Sequence, residues 1–201
     1  FTPERFLELL KNLGFTTFTK TAGHYGLSLI LGGGETSLWE LTGAYASFSR
    51  ILQKSGKGEK YYNSDFHPPF LTNEKRPYQV KEEKKESPLS ASSVWLTYEA
   101  LQNVNRPATE SGWHYFSSAR TMAWKTGTSF GFRDAWAVGT TPEYVIGVWI
   151  GNADGEGRPG LTGTGAAAPL LFDIAGILEP VPWFSVADSE MTTIRVCSKS
   201  G

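Results

Sequence analysis

The sequence predicts an α+β fold in which an antiparallel sheet is flanked by helices. Three observations predict it. Residues 121–152 hold three successive segments rich in aromatic and β-branched residues, separated by turns too short to contain a helix. Stretches ahead of them repeat apolar residues at helical spacing. A short apolar stretch behind them, "AAAPLLFDIAGIL" (166–178), suits a helix laid over one sheet face. The 201 residues suffice for one domain with a core of its own.

The first helix is expected in "PERFLELLKNLGF". Thr2 can cap it, Pro3 suits its first position, Phe6, Leu7 and Leu10 recur at helical spacing, and Gly14 is placed to end it. A loop is expected through "GHYGLSLILGGGE", whose glycines Gly32 to Gly34 read as a capping turn ahead of an anion site. "TSLWELTGAYASFSRIL" (36–52) predicts a second helix. Ser37 with Glu40 forms a capping box, and Leu38, Leu41, Tyr45, Phe48 and Leu52 line one face. "SGKGEKYY" reads as a hairpin arm, and the mixed charges of 74–87 as a solvated, mobile loop, since glutamates alternate with the lysines. A third helix is predicted in "SPLSASSVWLTYEALQNV", with Val94, Leu96, Ala100, Leu101 and Val104 on one side, and residues 105–120 read as a loop.

The strands are "TMAWKTGTS", "RDAWAVGTT" and "EYVIGVWIG", joined at "FGF" and at Thr141-Pro142 as antiparallel hairpins. Gly127, Gly139, Gly147 and Gly151 interrupt them, and each needs a reason such as close approach of another group. The glycine-rich loop 152–165 follows. Asp154 and Glu156 within it lack the spacing of a calcium loop, and "GLTGTG" lacks the strand that a dinucleotide fingerprint requires. Residues 1–180 are read as one unit, and 181–201 as a linker leading into a following domain.

Hydrophobic residues at 40% and aromatics at 13% fit a folded chain. A formal charge of −1 gives no reason to expect nucleic acid as a partner. His24, His67 and His114 are scattered without metal-ligand spacing, so no metal and no cofactor are expected. Cys197 is the single cysteine and can form no disulfide within the chain. No run of apolar residues approaches transmembrane length. The opening "FTPERF" and the closing "TTIRVCSKSG" read as cuts inside a longer polypeptide.

Chemistry concentrates in "WKTGTS" (124–129). On a strand, Lys125 and Gly127 face one way, Thr126 and Thr128 the other. At a twisted sheet edge all of them can nevertheless border one groove. The lysine supplies positive charge, the hydroxyls can hold a carboxylate, and a glycine without Cβ admits a substrate backbone closely. Free edge amides can pair with an extended peptide. Residue chemistry therefore describes a peptide or carboxylate cradle.

Lysine-threonine-glycine is also the third element of the penicillin-binding proteins and serine β-lactamases, after serine-x-x-lysine and serine-x-asparagine. "WKTGTSFGFRDAWAVGTTPEYVIGVWIGN" resembles that element and its following strands in class A penicillin-binding proteins. "HYGLSLILGGGETSLWELTGAYASFSRI" is similar to the segment before it, and the resemblance extends over about residues 1–183. It implies a penicillin-binding protein/serine β-lactamase-like transpeptidase fold. It further implies a parent that cross-links peptidoglycan stem peptides ending in D-Ala-D-Ala through an acyl-serine, with a glycosyltransferase domain upstream and acylation by β-lactams. Such a parent would work on the periplasmic side of the bacterial inner membrane, anchored by an N-terminal segment.

By the same resemblance, Lys125 would act in proton shuttling and electrostatics, and Thr126 and Thr128 would bind the substrate carboxylate. The Thr128 backbone N–H would donate into the oxyanion hole. Gly127 would leave room for the donor, and Ser129 stands where threonine is commoner in the family. No serine-x-x-lysine or serine-x-asparagine occurs in the 201 residues, so nucleophile and lysine base must come from elsewhere. The expected partners are stem peptides, β-lactams, and the missing half of the domain or a second copy. Alternatives are a serine β-lactamase or β-lactam sensor, and a non-catalytic module holding peptides at an edge strand.

Overall fold

The computed structural model describes residues 2–71, 84–104, 121–195 and 197. Besides short 3-10 and π-helical turns, these residues form five α-helices and one three-stranded antiparallel sheet: α1 (Pro3–Asn12), α2 (Ala22–Tyr25), α3 (Leu38–Gly56), α4 (Ala91–Gln102), β1 (Ala123–Thr128), β2 (Asp134–Thr140), β3 (Val145–Gly151) and α5 (Ala168–Ile177). This is the α+β layout expected. The strand order is β1-β2-β3, each hairpin pairing neighbours in sequence.

The helix starts follow their capping residues. The Thr2 hydroxyl accepts from the Arg5 amide, Ser37 Oγ from Glu40 N–H at 3.2 Å, and Ser90 Oγ from Ser93 N–H at 3.2 Å. Gly14, at φ +95°, takes the left-handed turn that follows α1. The capping box at α3 is only half made. The Glu40 carboxylate does not return to Ser37; it accepts from Thr16 N–H (2.9 Å) and from the hydroxyls of Thr16 (2.5 Å), Thr17 (2.7 Å) and Thr36 (3.2 Å). Three threonine hydroxyls and an amide offer a carboxylate more than one backbone N–H does, so the distant partners win.

Other expectations need correction. The stretch between α1 and α3 is not plain loop, because α2 continues into a 3-10 helix, Gly26–Leu31. "SGKGEKYY" is no hairpin arm; it completes α3, turns at Lys57-Gly58, and enters a 3-10 turn at Asn63–Asp65. The buried face of α4 carries Ala91, Val94 and Tyr98, whereas Leu96 is 56% exposed. Tyr98 wins the inward position because its ring meets Phe48 and Phe184 edge-on or tilted, while its hydroxyl donates to the Tyr45 carbonyl at 3.0 Å. Most of the charge run 74–87 and all of 105–120 lie outside the described residues; of the former, the Lys85 carbonyl accepts from Asn63 N–H at 2.9 Å.

Two apolar layers result. One lies among α1, α3 and α4, with Ile51, Leu52, Val94 and Tyr98 buried in it. Phe184 and Ala187, from the segment expected as linker, are buried there as well. The other lies between the sheet and α5, where Leu171 and Phe172 meet Met122, Trp124, Ala137 and Val148. The apolar helix thus covers one sheet face, as its composition predicts.

On the opposite face α3 approaches closely at Gly147, where a Cβ would collide with the Thr42 hydroxyl and Leu38. At Gly139 a Cβ would meet Met122 Sδ at 2.5 Å and Leu171 methyls at 3.1 Å. Packing therefore requires both glycines. Arg50 secures α3 to the chain that follows it, donating to the carbonyls of Asp65 and His67 (3.0 Å each) and to Ser47 Oγ (2.7 Å).

Candidate functional site

All five residues singled out in the lysine-threonine-glycine stretch lie along the end of β1 and its turn. Their disposition follows from register. Ser129 N–H donates to the Asp134 carbonyl at 3.0 Å, so the odd-numbered residues of β1 point their backbone groups at β2. Alternation then turns the amide and carbonyl of Thr126 and Thr128 to the outer side, where no described strand pairs with β1. The Thr128 N–H is a donor at an open edge.

Side chains approach that edge from both faces. Lys125 is exposed, on the face that packs towards α3 and α4, and its Nζ reaches the outward Thr126 carbonyl at 2.8 Å. Thr126 and Thr128 project to the face of α5. The Thr128 hydroxyl accepts from Gly163 N–H at 2.9 Å. A hydroxyl that accepts one bond keeps its own proton to donate, so Thr128 can still bind an anion. Cation, hydroxyl and edge amide thus lie on the two faces and the rim of one strand end.

Gly127 stands apart from the other strand glycines. A Cβ there would find Trp136 Cβ at 3.5 Å, which is ordinary contact. No described neighbour forbids a Cβ at this position, and Gly127 is exposed, so the missing Cβ lets another group approach the strand backbone closely. Ser129 is turned to local work: its hydroxyl accepts from Asp134 N–H at 2.8 Å and closes the β1–β2 turn. Phe130 in that turn is 98% exposed, and Phe132 adopts φ +57°, unusual outside glycine.

Sequence reasoning missed two features of this site. Gly163, in the π-helical turn Gly163–Ala167 that leads into α5, fits against the Gly127 and Trp136 carbonyls and supports Thr128. Trp136 and Trp149 stand in line with Gly127 across the strands. Counting register outward from the two short turns would have found the tryptophans; nothing local in the sequence marks Gly163. Among the described residues no three His, Cys, Asp or Glu side chains gather as a metal site, and no helix is long and apolar enough to cross a membrane.

No family model matches the chain. It is 33% identical over 177 residues to penicillin-binding protein 1C of Escherichia coli (strain K12), a match covering 88% of this chain and 20% of that protein. It is 30% identical over 170 residues to penicillin-binding protein 1A of Neisseria cinerea, covering 83% of the chain and 20% of the relative. The corresponding protein of Neisseria gonorrhoeae is 32% identical over 152 residues, covering 73% and 18%. The chain therefore spans about a fifth of the length of these relatives. By sequence, most of this chain matches a partial region of the class A penicillin-binding proteins.

Proposed function

We propose that this chain is the part of a peptidoglycan D,D-transpeptidase domain that holds the donor's carboxylate and its reacting carbonyl. The observation that carries the reading is the outward Thr128 amide at an open strand edge, between Lys125 and two threonine hydroxyls, in a chain similar to penicillin-binding proteins. The terminal carboxylate of a D-Ala-D-Ala stem binds Lys125, Thr126 and Thr128. The scissile carbonyl oxygen points at the Thr128 N–H, which stabilises the negative charge as it develops.

A serine from the remainder of the transpeptidase domain attacks that carbonyl carbon. The C–N bond breaks, the terminal D-Ala leaves with a proton on its amine, and an acyl-ester remains. The amine of a neighbouring stem then displaces the serine, forming the cross-link and returning the proton to the site. A β-lactam presents the same carboxylate and carbonyl, and its opened ring stays attached. The site would lie on the extracytoplasmic side of the membrane, where such stems are found.

The test is covalent labelling by a fluorescent penicillin, read by denaturing electrophoresis. The full-length protein containing this segment labels, and Lys125→Ala slows that labelling about 100-fold, the scale of losing one charge-stabilising group. The 201-residue chain by itself gives no band. Undiminished labelling of the Lys125 variant would overturn the reading.

A further inference from the structure

Three large aliphatic side chains stand exposed on one short element. In the 3-10 helix Gly26–Leu31, Leu27 is 72% exposed, Ile30 63% and Leu31 90%. A 3-10 helix has three residues per turn, so Leu27 and Ile30 stack one above the other, with Leu31 next along. Single exposed apolar residues are ordinary on a protein surface, whereas a cluster of them marks a contact.

The element is held firmly. Leu29, between the exposed residues, is 5% exposed and belongs to the apolar layer among α1, α3 and α4. Tyr25, just ahead, meets Phe18 edge-on at 5.9 Å, and Ser28 Oγ donates to the Tyr25 carbonyl at 2.5 Å. Behind the element the chain folds back, and Gly33 N–H donates to the Ser28 carbonyl at 2.8 Å. A Cβ at Gly33 would stand 2.5 Å from Ser28 Oγ, and one at Gly34 would collide with Phe18 and reach 2.9 Å from a Leu29 methyl. Gly33 and Gly34 thus let the chain close onto the 3-10 helix and fix its outer face.

That face stands in a definite relation to the candidate site. The glycine turn leads into α3, whose Leu38 and Thr42 lie against Gly147. Gly147 shares a cross-strand row with Val138 and Lys125, so α3 lies on the sheet face that bears Lys125. The proposed reaction needs a serine from outside these 201 residues, and the chain spans about a fifth of the length of its relatives.

We propose that Leu27, Ile30 and Leu31 are the surface on which the serine-bearing remainder of the transpeptidase domain packs. This rests on the transpeptidase reading above. Size selects that occupant over a second copy, because stable interfaces between separate proteins bury about 800 Å² per partner, more than three aliphatic side chains supply. A part of the same polypeptide is already at high effective concentration and associates over a smaller area. Burial of the three side chains then holds the serine-bearing part on the side of the sheet from which Lys125 projects.

The experiment places p-benzoylphenylalanine in the full-length protein in place of Leu27 and, separately, of Leu31, and irradiates each. Expected is a product of monomer mass in which this segment is joined to a peptide from outside the 201 residues, identified by mass spectrometry. No joined peptide, or joining only to a second copy at dimer mass, would overturn the proposal. Ile30→Asp is expected to slow labelling by a fluorescent penicillin about tenfold, because a charge would be buried unpaired, while Ile30→Val keeps most of the rate. Labelling of Ile30→Asp at the wild-type rate would count against the surface. Joining to the outside peptide in a protein that no penicillin labels would support the surface and overturn the transpeptidase reading; labelling without joining would do the reverse.

Discussion

The hydroxyl of Thr128 accepts the Gly163 amide at 2.9 Å, which ties the end of the edge strand to the turn that opens the covering helix. Gly163 reaches this position only because it lacks a side chain. A Cβ would stand 2.5 Å from the Gly127 carbonyl oxygen, 2.6 Å from that of Trp136 and 2.9 Å from Thr126 Cβ. Two of these neighbours are backbone and cannot rotate away. Gly163→Ala is expected to cost about 1–3 kcal/mol, as overpacking does, and to lower the melting temperature in calorimetry. An unchanged melting temperature would show that the turn yields.

Gly127 and Gly139 predict opposite results for the same substitution. Gly139→Ala would press on Met122 and Leu171 inside the core and destabilise by about 1–3 kcal/mol. Gly127→Ala meets only ordinary contact with Trp136, and removing a glycine from a strand gains about 0.5–1 kcal/mol. Denaturant titration of both variants checks the contrast. In the full-length protein, Gly127→Ala is further expected to slow penicillin labelling despite its stable fold.

Arg50 makes three hydrogen bonds in different directions, to two carbonyls and one hydroxyl. A lysine brings one ammonium and cannot match the planar fork. Arg50→Lys should therefore leave at least one carbonyl unmet and cost about 1–3 kcal/mol, read from the urea midpoint.

Glu40 predicts a pH dependence. Burial raises its pKa, but bonds from the Thr16, Thr17 and Thr36 hydroxyls and the Thr16 amide outweigh burial and hold it below the ordinary 4.5. A carboxyl whose folded pKa is depressed adds stability above its unfolded value and loses it as pH falls through the folded one. The difference in urea midpoint between wild type and Glu40→Gln should be constant above pH 4.5 and shrink below it. A difference that widens on acidification would contradict the assignment.

Much of the fold was legible because its signals are local. Thr2, Ser37 and Ser90 cap helices within three residues of themselves, and two short turns between β-rich segments permit little besides consecutive hairpins. The arrangement of the candidate site was legible in part, as Lys125, Thr126, Gly127 and Thr128 are neighbours on one strand and alternation assigns their faces.

Tertiary structure decided whatever depends on residues far apart in the chain. The carboxylate of Glu40 abandons its own helix start for threonines up to 24 residues away. Tyr98 displaces Leu96 from the inner face of α4 because its partners, Tyr45 and Phe184, come from elsewhere in the chain. Gly163 meets Thr128 across 35 residues. The sequence by itself determined the strands and their order. Only packing determined that the Thr128 hydroxyl is held by the Gly163 amide, since alternation assigns a side chain to a face but not to a partner.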